Sequence, residues 1–188
     1  MDARQVFTAY ERVNVAPPAP RFCSECGAEY REQEGVHRRC DACGRVRYRN
    51  PAPAVAVLVV EGDHVVLCRR RSASLGNGLW CLPSGYIEWD EDFLAAGVRE
   101  VREETALEVE IDGIVSVVTN YLSPAIHSLV VVLTARALRG DLLAGDDASE
   151  VAWFDTNHPL PAMAFEADSH IIARYFQARA PGATVERR

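Results

Sequence analysis

The residues best equipped for chemistry are Glu100, Glu103 and Glu104. Positions i, i+3 and i+4 lie on one side of a helix within a turn, so a helix from about residue 92 gathers these carboxylates. Like charges this close repel unless a cation sits among them. A hard divalent ion such as Mg²⁺ takes oxygen ligands and is shared with substrate phosphates. The competing expectation is a solvated helix laced by pairs such as Arg99–Glu103. On the same helix Leu94, Val98 and Val101 fall at i, i+4 and i+7 and are expected to face a core. A second set is Cys23-x-x-Cys26 and Cys40-x-x-Cys43, with thirteen residues between the pairs. Four thiolates at this spacing suit tetrahedral Zn²⁺. Gly27 and Gly44 follow the two pairs and let the backbone curl its N–H groups toward the sulfurs. A segment this short buries no core of its own, so metal binding would supply its folding energy.

Gly85, five residues, Glu91, seven residues and then Arg99-Glu100-Val101-x-Glu103-Glu104 follow in one register. This run resembles the Nudix box of the Nudix hydrolases, Gly-x5-Glu-x7-Arg-Glu-apolar-x-Glu-Glu-x-Gly-apolar. The match holds at Gly85, Glu91, Arg99, Glu100, Val101, Glu103, Glu104 and Leu107, and departs at Ala106, where the family has glycine. Just upstream, Ser84 also stands in a place where the family favours glycine.

The resemblance implies an α/β fold, an α/β/α sandwich around a mixed sheet. It implies cleavage of a nucleoside diphosphate linked to another moiety, with ADP-ribose or an FAD-like nucleotide foremost, releasing a nucleoside monophosphate. It implies Mg²⁺ or Mn²⁺ on Glu100, Glu103 and Glu104, with Glu91 supporting them and Arg99 orienting carboxylates. Nudix enzymes often place a further carboxylate in a late loop, as base or extra ligand; here the candidates are Asp147 and Glu150. A zinc ribbon before such a domain resembles two branches, NADH pyrophosphatases and a group acting on ADP-ribose or FAD. The first carries Ser-Gln-Pro-Trp-Pro-Phe-Pro where this chain reads Thr119-Asn120-Tyr121-Leu122-Ser123-Pro124-Ala125-Ile126-His127, so NADH is the alternative substrate.

Elements must position these groups. A β-branched run over residues 55–60 predicts a strand buried on both faces, and residues 61–64 a hairpin turn. A return strand over 65–68 runs into three arginines, of which Arg69 and Arg70 are candidates to face substrate phosphates. Trp80 is a candidate to stack on a base, or else to pack beneath the loop before it. Gly85 and Glu88 are expected to be structural, Glu88 by accepting a bond from Arg99. Strands are expected at 109–118, 129–137 and 151–154, with loops at 119–127 and 140–150. A helix over 167–179 would turn Ile171, Ile172, Tyr175 and Phe176 inward. The chain then divides into a short helix over 4–13 within an N-terminal segment and Pro-rich linker (1–20), a zinc ribbon (21–50), a Nudix domain (51–180) and a disordered tail (181–188).

Composition sets limits. The net charge of −7 makes the chain a poor general binder of nucleic acid, although Arg38, Arg39, Arg45, Arg47 and Arg49 make the ribbon locally basic. A nucleic-acid-binding or nucleotide-sensing ribbon protein is therefore the alternative of another class. All twenty basic residues are arginine, so any phosphate clamp is guanidinium. No apolar run reaches the roughly 18–20 residues of a membrane span, and no secretory signal opens the sequence. The expected setting is cytoplasmic, with reduced cysteines, a small nucleotide as partner, no membrane, and a homodimer as an assembly the sequence leaves open.

Overall fold

The computed structural model describes residues 6–8, 20–31, 37–71, 75–123, 126–145, 147–178 and 183–184. Its centre is β4 (Ala52–Glu61), hairpin-paired with β5 (His64–Arg70). On its other edge β4 runs parallel to β9 (Ile126–Arg139), which pairs antiparallel with β8 (Glu108–Ser123). Beyond β8 lies β1 (Val6–Thr8), and beyond β5 lies β10 (Ala148–Asp155). Short strands β6 (Trp80–Cys81) and β7 (Ser84–Tyr86) pair with β5 and β4, and β11 (Ala183–Thr184) pairs with β8. The ribbon contributes its own two-stranded sheet, β2 (Arg38–Arg39) against β3 (Val46–Arg47).

Two helices cover the sheet, and β4 shows why. Ala54, Ala56 and Leu58 join a core with Ile171 and Ile172 of α2 (Glu166–Ala178), while Val57 and Val59 join another with Val101 of α1 (Phe93–Thr105). Side chains alternate across a strand, so a strand packed on both faces reads as a continuous apolar run. The result is the expected α/β/α sandwich around a mixed sheet. Tyr175 and Phe176 pack beside the first core, as their spacing foretold.

Several expectations change. Residues 4–13 do not form a helix throughout: Val6–Thr8 is a strand running parallel to residues 119–121 of β8. Residues 9–19, including most of the Pro-rich stretch, lie outside the described residues. In the tail, Ala183 and Thr184 pair with Ile114 and Gly113, and the rest lies outside the described residues. Of the loop expected over 119–127, residues 119–123 and 126–127 are instead strand, where Asn120 pairs with Ser128 and Tyr121 with His127, and residues 124–125 lie outside the described residues. His127 stacks on Tyr121 with ring centroids 4.0 Å apart.

Helix α1 is also rotated relative to the expectation. Val98 is 36% exposed, while Gly97, Val101, Glu104 and Thr105 are buried. Gly97 is the cause: a Cβ there would lie 2.7 Å from Cδ1 of Leu133, so the bare backbone lets the helix settle on the sheet along that line. Glu104 thereby turns inward with Val101 instead of sharing the outer side with Glu103. Asp92 caps the start, accepting the N–H groups of Leu94 and Ala95 at 2.9 Å. Among the described residues no helix is long and apolar enough to cross a membrane.

The helix ends on Ala106, whose φ of 61° and ψ of 8° are left-handed, its N–H donating to the Arg102 carbonyl at 3.0 Å. A Cβ in this region costs roughly 1–2 kcal/mol, partly offset in glycine by the greater freedom of its unfolded chain. Ala106→Gly is therefore expected to stabilise the protein by about 1 kcal/mol, a rise in Tm of ~2–4 °C by calorimetry. An unchanged or lower Tm would contradict strain at this position.

Candidate active site

One guanidinium organises the helix–loop junction. Arg99 donates through Nε and Nη2 to both oxygens of Glu91, through Nη1 to Glu100 at 2.7 Å and Glu103 at 3.0 Å, and through Nη2 to the carbonyl of Tyr86 at 3.0 Å. Glu91 also accepts the N–H of Glu88 at 3.0 Å, which closes the loop onto the helix. The Arg99 hydrogen bonds hold the Glu91 carboxyl down at about 2, and the carboxylates in turn raise the pKa of Arg99. The cation expected among the clustered glutamates is thus partly supplied by the chain itself. The Arg99–Glu103 pair exists, but as one arm of a network and not as a solvated helix rung.

Glycine at position 85 is required by contact. A Cβ built there would lie 2.1 Å from Oε1 of Glu100, so the Glu100 carboxyl rests against bare backbone. Burial raises the Glu100 pKa, Arg99 opposing it. Glu104 is 7% exposed and accepts the N–H of Ser84 at 3.1 Å, beside the Cys68 thiol. Burial pushes its carboxyl up to about 7.

Glu100 and Glu104 open onto a cavity of about 560 Å³ whose rim and walls include Arg70, Ser84, Gly85, Tyr86, Glu88 and Asp147. A fifth carboxyl at this cavity, Asp168 on the first turn of α2, is 6% exposed and accepts the N–H of Leu82 at 3.0 Å. Burial pushes it up to about 7 as well, the Arg70 charge opposing.

The candidates drawn from sequence separate accordingly. Arg70 lines the cavity, with its guanidinium 5.2 Å over the Phe165 ring and Nε donating to the Leu75 carbonyl at 3.0 Å. Arg69 does not line it; alternation turns Arg69 outward to Glu150 at 3.3 Å and the Gly78 carbonyl at 2.9 Å. Glu150 goes with it, away from the cavity, while Asp147 lines the wall. Trp80 packs edge-on against Phe154, 4.8 Å between centroids, beneath the sheet. Glu88 lines the cavity and gives its backbone N–H to Glu91, whereas Arg99 bonds Glu91 in the role foreseen for the Glu88 side chain. Sequence reasoning missed Asp168, Asn120 and Ser128, which also face the cavity. The signal for the last two was the break in apolar alternation at 119–128, where strand residues turn polar because they meet a cavity.

In the ribbon the four cysteine sulfurs lie within 4.8 Å of one another, an arrangement able to hold a metal ion. Gly27 and Gly44 adopt φ of 71° and 74°, and their N–H groups donate to the carbonyls of Cys23 and Cys40. Backbone N–H groups, first that of Cys26, lower the Cys23 pKa to about 6. His37 stands apart, its Nδ1 accepting the N–H of Arg49 at 3.1 Å.

Comparison with known proteins places this geometry. A NUDIX domain is matched over residues 50–175. The NAD-capped RNA hydrolase NudC of Pseudomonas aeruginosa is 34% identical over 169 residues, 87% of this chain and 58% of the relative. The ADP-ribose pyrophosphatase of Methanocaldococcus jannaschii is 36% identical over 127 residues, 66% of this chain and 74% of the relative. The chain thus spans only 58% of the length of the first of these. A solved NUDIX hydrolase from Nitrosomonas europaea superposes with a TM-score of 0.75 at 28% identity, covering 89% of this chain and 97% of that one.

The Glu91–Arg99 bond has a pH signature. The folded Glu91 carboxyl lies at about 2 against an ordinary 4.5. Its contribution to stability is present above the unfolded value and lost as pH falls through the folded one. Glu91→Gln is expected to lower Tm near neutral pH, and the gap from wild type is expected to close as pH falls from about 5 toward about 2. Thermal melts across that range check this; a gap independent of pH would contradict it.

Proposed function

The chain belongs to the NUDIX family, and from that premise we propose that it is a metal-dependent hydrolase of a nucleoside diphosphate linked to another group, with ADP-ribose foremost. The observation that carries this reading is the Glu100 carboxyl seated on the bare backbone of Gly85, facing one cavity together with Glu104. Such carboxylates suit a hard divalent ion, and Glu100, Glu103 and Glu104 would hold Mg²⁺ or Mn²⁺. When bound, the ion neutralises the pyrophosphate and lowers the pKa of a water.

The chain's own residues do the rest. Arg99 fixes Glu91, Glu100 and Glu103 in one orientation, so little reorganisation accompanies the reaction. Gly85 leaves the Glu100 carboxyl room to lie against the backbone at the cavity wall. Arg70, the arginine lining the cavity, is the candidate phosphate partner. Asp147 is the candidate base, because it lines the cavity and Glu150 does not. Its carboxylate takes the proton of the attacking water as the phosphorus–oxygen bond to the leaving phosphate breaks. The products are a nucleoside monophosphate and the other group's phosphate.

A second reading is favoured by the NudC relative: a nicotinamide dinucleotide, free or at the end of RNA, would present the same pyrophosphate. An FAD-like nucleotide would do so too. The four cysteines would hold Zn²⁺ and fold the ribbon. Cysteines that hold Zn²⁺ must stay reduced, which fits a reducing compartment such as the cytoplasm.

The test is a panel of ADP-ribose, FAD, NADH and NAD-capped RNA with Mg²⁺ or Mn²⁺, the products separated by chromatography. On the best substrate Glu104→Gln is expected to cut turnover at least about a hundredfold, ~2.7 kcal/mol in the barrier. Without metal the same change relieves a buried charge, so Tm is expected to hold or rise. Turnover within about threefold of wild type would remove Glu104 from the metal site. For the ribbon, elemental analysis is expected to find about one zinc per chain, lost in Cys40→Ser while residual hydrolysis persists. Protein prepared with zinc and found free of metal would refute the ribbon assignment.

A further inference from the structure

Asp168 has no part in the chemistry above. It does not come from the box, it sits on the opposite face of the sheet from α1, and its carboxyl is 6% exposed. Burying a carboxyl is costly unless its oxygens are satisfied. Among the described residues its hydrogen-bond partner is the N–H of Leu82, through Oδ2 at 3.0 Å. A carboxyl offers about four acceptor positions, so most of its capacity is left to the cavity it lines.

The surroundings narrow what that capacity can receive. In the hydrolase reading the phosphates go, through the ion, to the box glutamates Glu100 and Glu104, which leaves Asp168 for another part of the nucleotide. Near Asp168 the cavity is walled by Phe165, Val130 and Ala54, with Arg70 over the Phe165 ring. Apolar walls with a few buried polar groups, here Asp168 with Ser128, describe the seat of a flat heterocycle held by a donor on its edge. Burial pushes Asp168 up to about 7, so near neutral pH both forms of the carboxyl are present. The ionised form accepts a hydrogen bond. The acid form also donates one, which suits an edge carrying an amino group beside an acceptor, as in adenine or a carboxamide.

We propose that Asp168 is a specificity-determining residue that accepts a hydrogen bond from an –NH₂ group on the ring of the bound nucleotide. The proposal rests on the hydrolase reading for its substrate class, but can be tested without turnover. Two sources share this chemistry, the 6-amino group of adenine and the carboxamide of nicotinamide.

The experiment compares pairs in which that amino group is exchanged for oxygen: ADP-ribose with inosine diphosphate ribose, and NAD with its nicotinic acid analogue. AMP with IMP, and nicotinamide mononucleotide with its nicotinic acid analogue, repeat the comparison as equilibrium binding. The variant is Asp168→Asn, whose amide oxygen can still accept the Leu82 N–H while its –NH₂ presents a donor to the cavity. Wild type is expected to prefer the amino member of one pair by at least about tenfold in kcat/KM or Kd. Asp168→Asn is expected to lose or reverse that preference. The pair that responds identifies the group. A merely structural Asp168 would weaken both members of every pair alike and leave the ratio unchanged. Wild type that treats both members of both pairs within about twofold overturns the proposal even if the variant does not fold, and so does an unchanged ratio in the variant. Failure of the hydrolase reading looks different: no product from any substrate, with the binding ratios still deciding the role of Asp168.

Discussion

The site depends on placing a guanidinium inside a shell of carboxylates. Glu91, Glu100 and Glu103 converge on Arg99, and side chains of this set are only partly exposed. Without Arg99 the junction would hold three like charges at hydrogen-bonding distance from one centre, with little water to screen them. With it, the loop carrying Gly85 and Tyr86 is fastened to α1 at the Tyr86 carbonyl and at Glu91. The spacing from Gly85 to Glu91 to Arg99 is therefore geometric. Glu91 lies in the loop where it can reach back to the helix two turns in, and Gly85 lies where a side chain would strike Glu100.

A second constraint runs through the sheet. The segment from Leu82 to Ser84 crosses between the two helical layers, and its N–H groups are claimed from opposite faces. Asp168 of α2 takes Leu82, Glu104 of α1 takes Ser84, and the Pro83 carbonyl accepts from Val57. Buried backbone donors must be paired, and here two of them are paired with ionisable groups, not with a neighbouring strand. Both carboxyls are pushed up to about 7 by burial. Arg70 lies near enough to oppose both shifts, so one arginine links the electrostatics of the two helices across the cavity.

Much of this was legible in the sequence, for physical reasons that differ by residue. Strand β4 and helix α2 announce themselves by apolar periodicity, which is a direct consequence of packing on a sheet. The box residues are legible because the chemistry fixes residue type and spacing together. Asp168 was not legible, since a lone aspartate on the first turn of a helix reads as a favourable dipole contact, and only the tertiary fold brings it to Leu82. The rotation of α1 was hidden for a related reason. Periodicity weighs Val98 as apolar and Gly97 as nothing, whereas close packing rewards the residue without a side chain. Likewise Arg69 and Arg70 look equivalent in sequence, and only strand alternation sends one to Glu150 and the other to the cavity.

The ribbon and the NUDIX domain solve stability in opposite ways. The domain buries two apolar clusters, one on each face of the sheet. In the ribbon the buried apolar side chains are Cys23 and Cys40. Phe22 and Tyr48 are exposed, and the ion pairs are surface contacts such as Arg21–Glu29 and Arg45–Glu25, of a kind worth little. Beyond its backbone hydrogen bonds and the β2–β3 pairing, the described part of this unit has little packing, which is the reason Zn²⁺ on its four cysteines is proposed to hold it. The NUDIX domain carries no such debt. Its carboxylates are positioned by Arg99 and by backbone N–H groups, on elements held by those two apolar clusters.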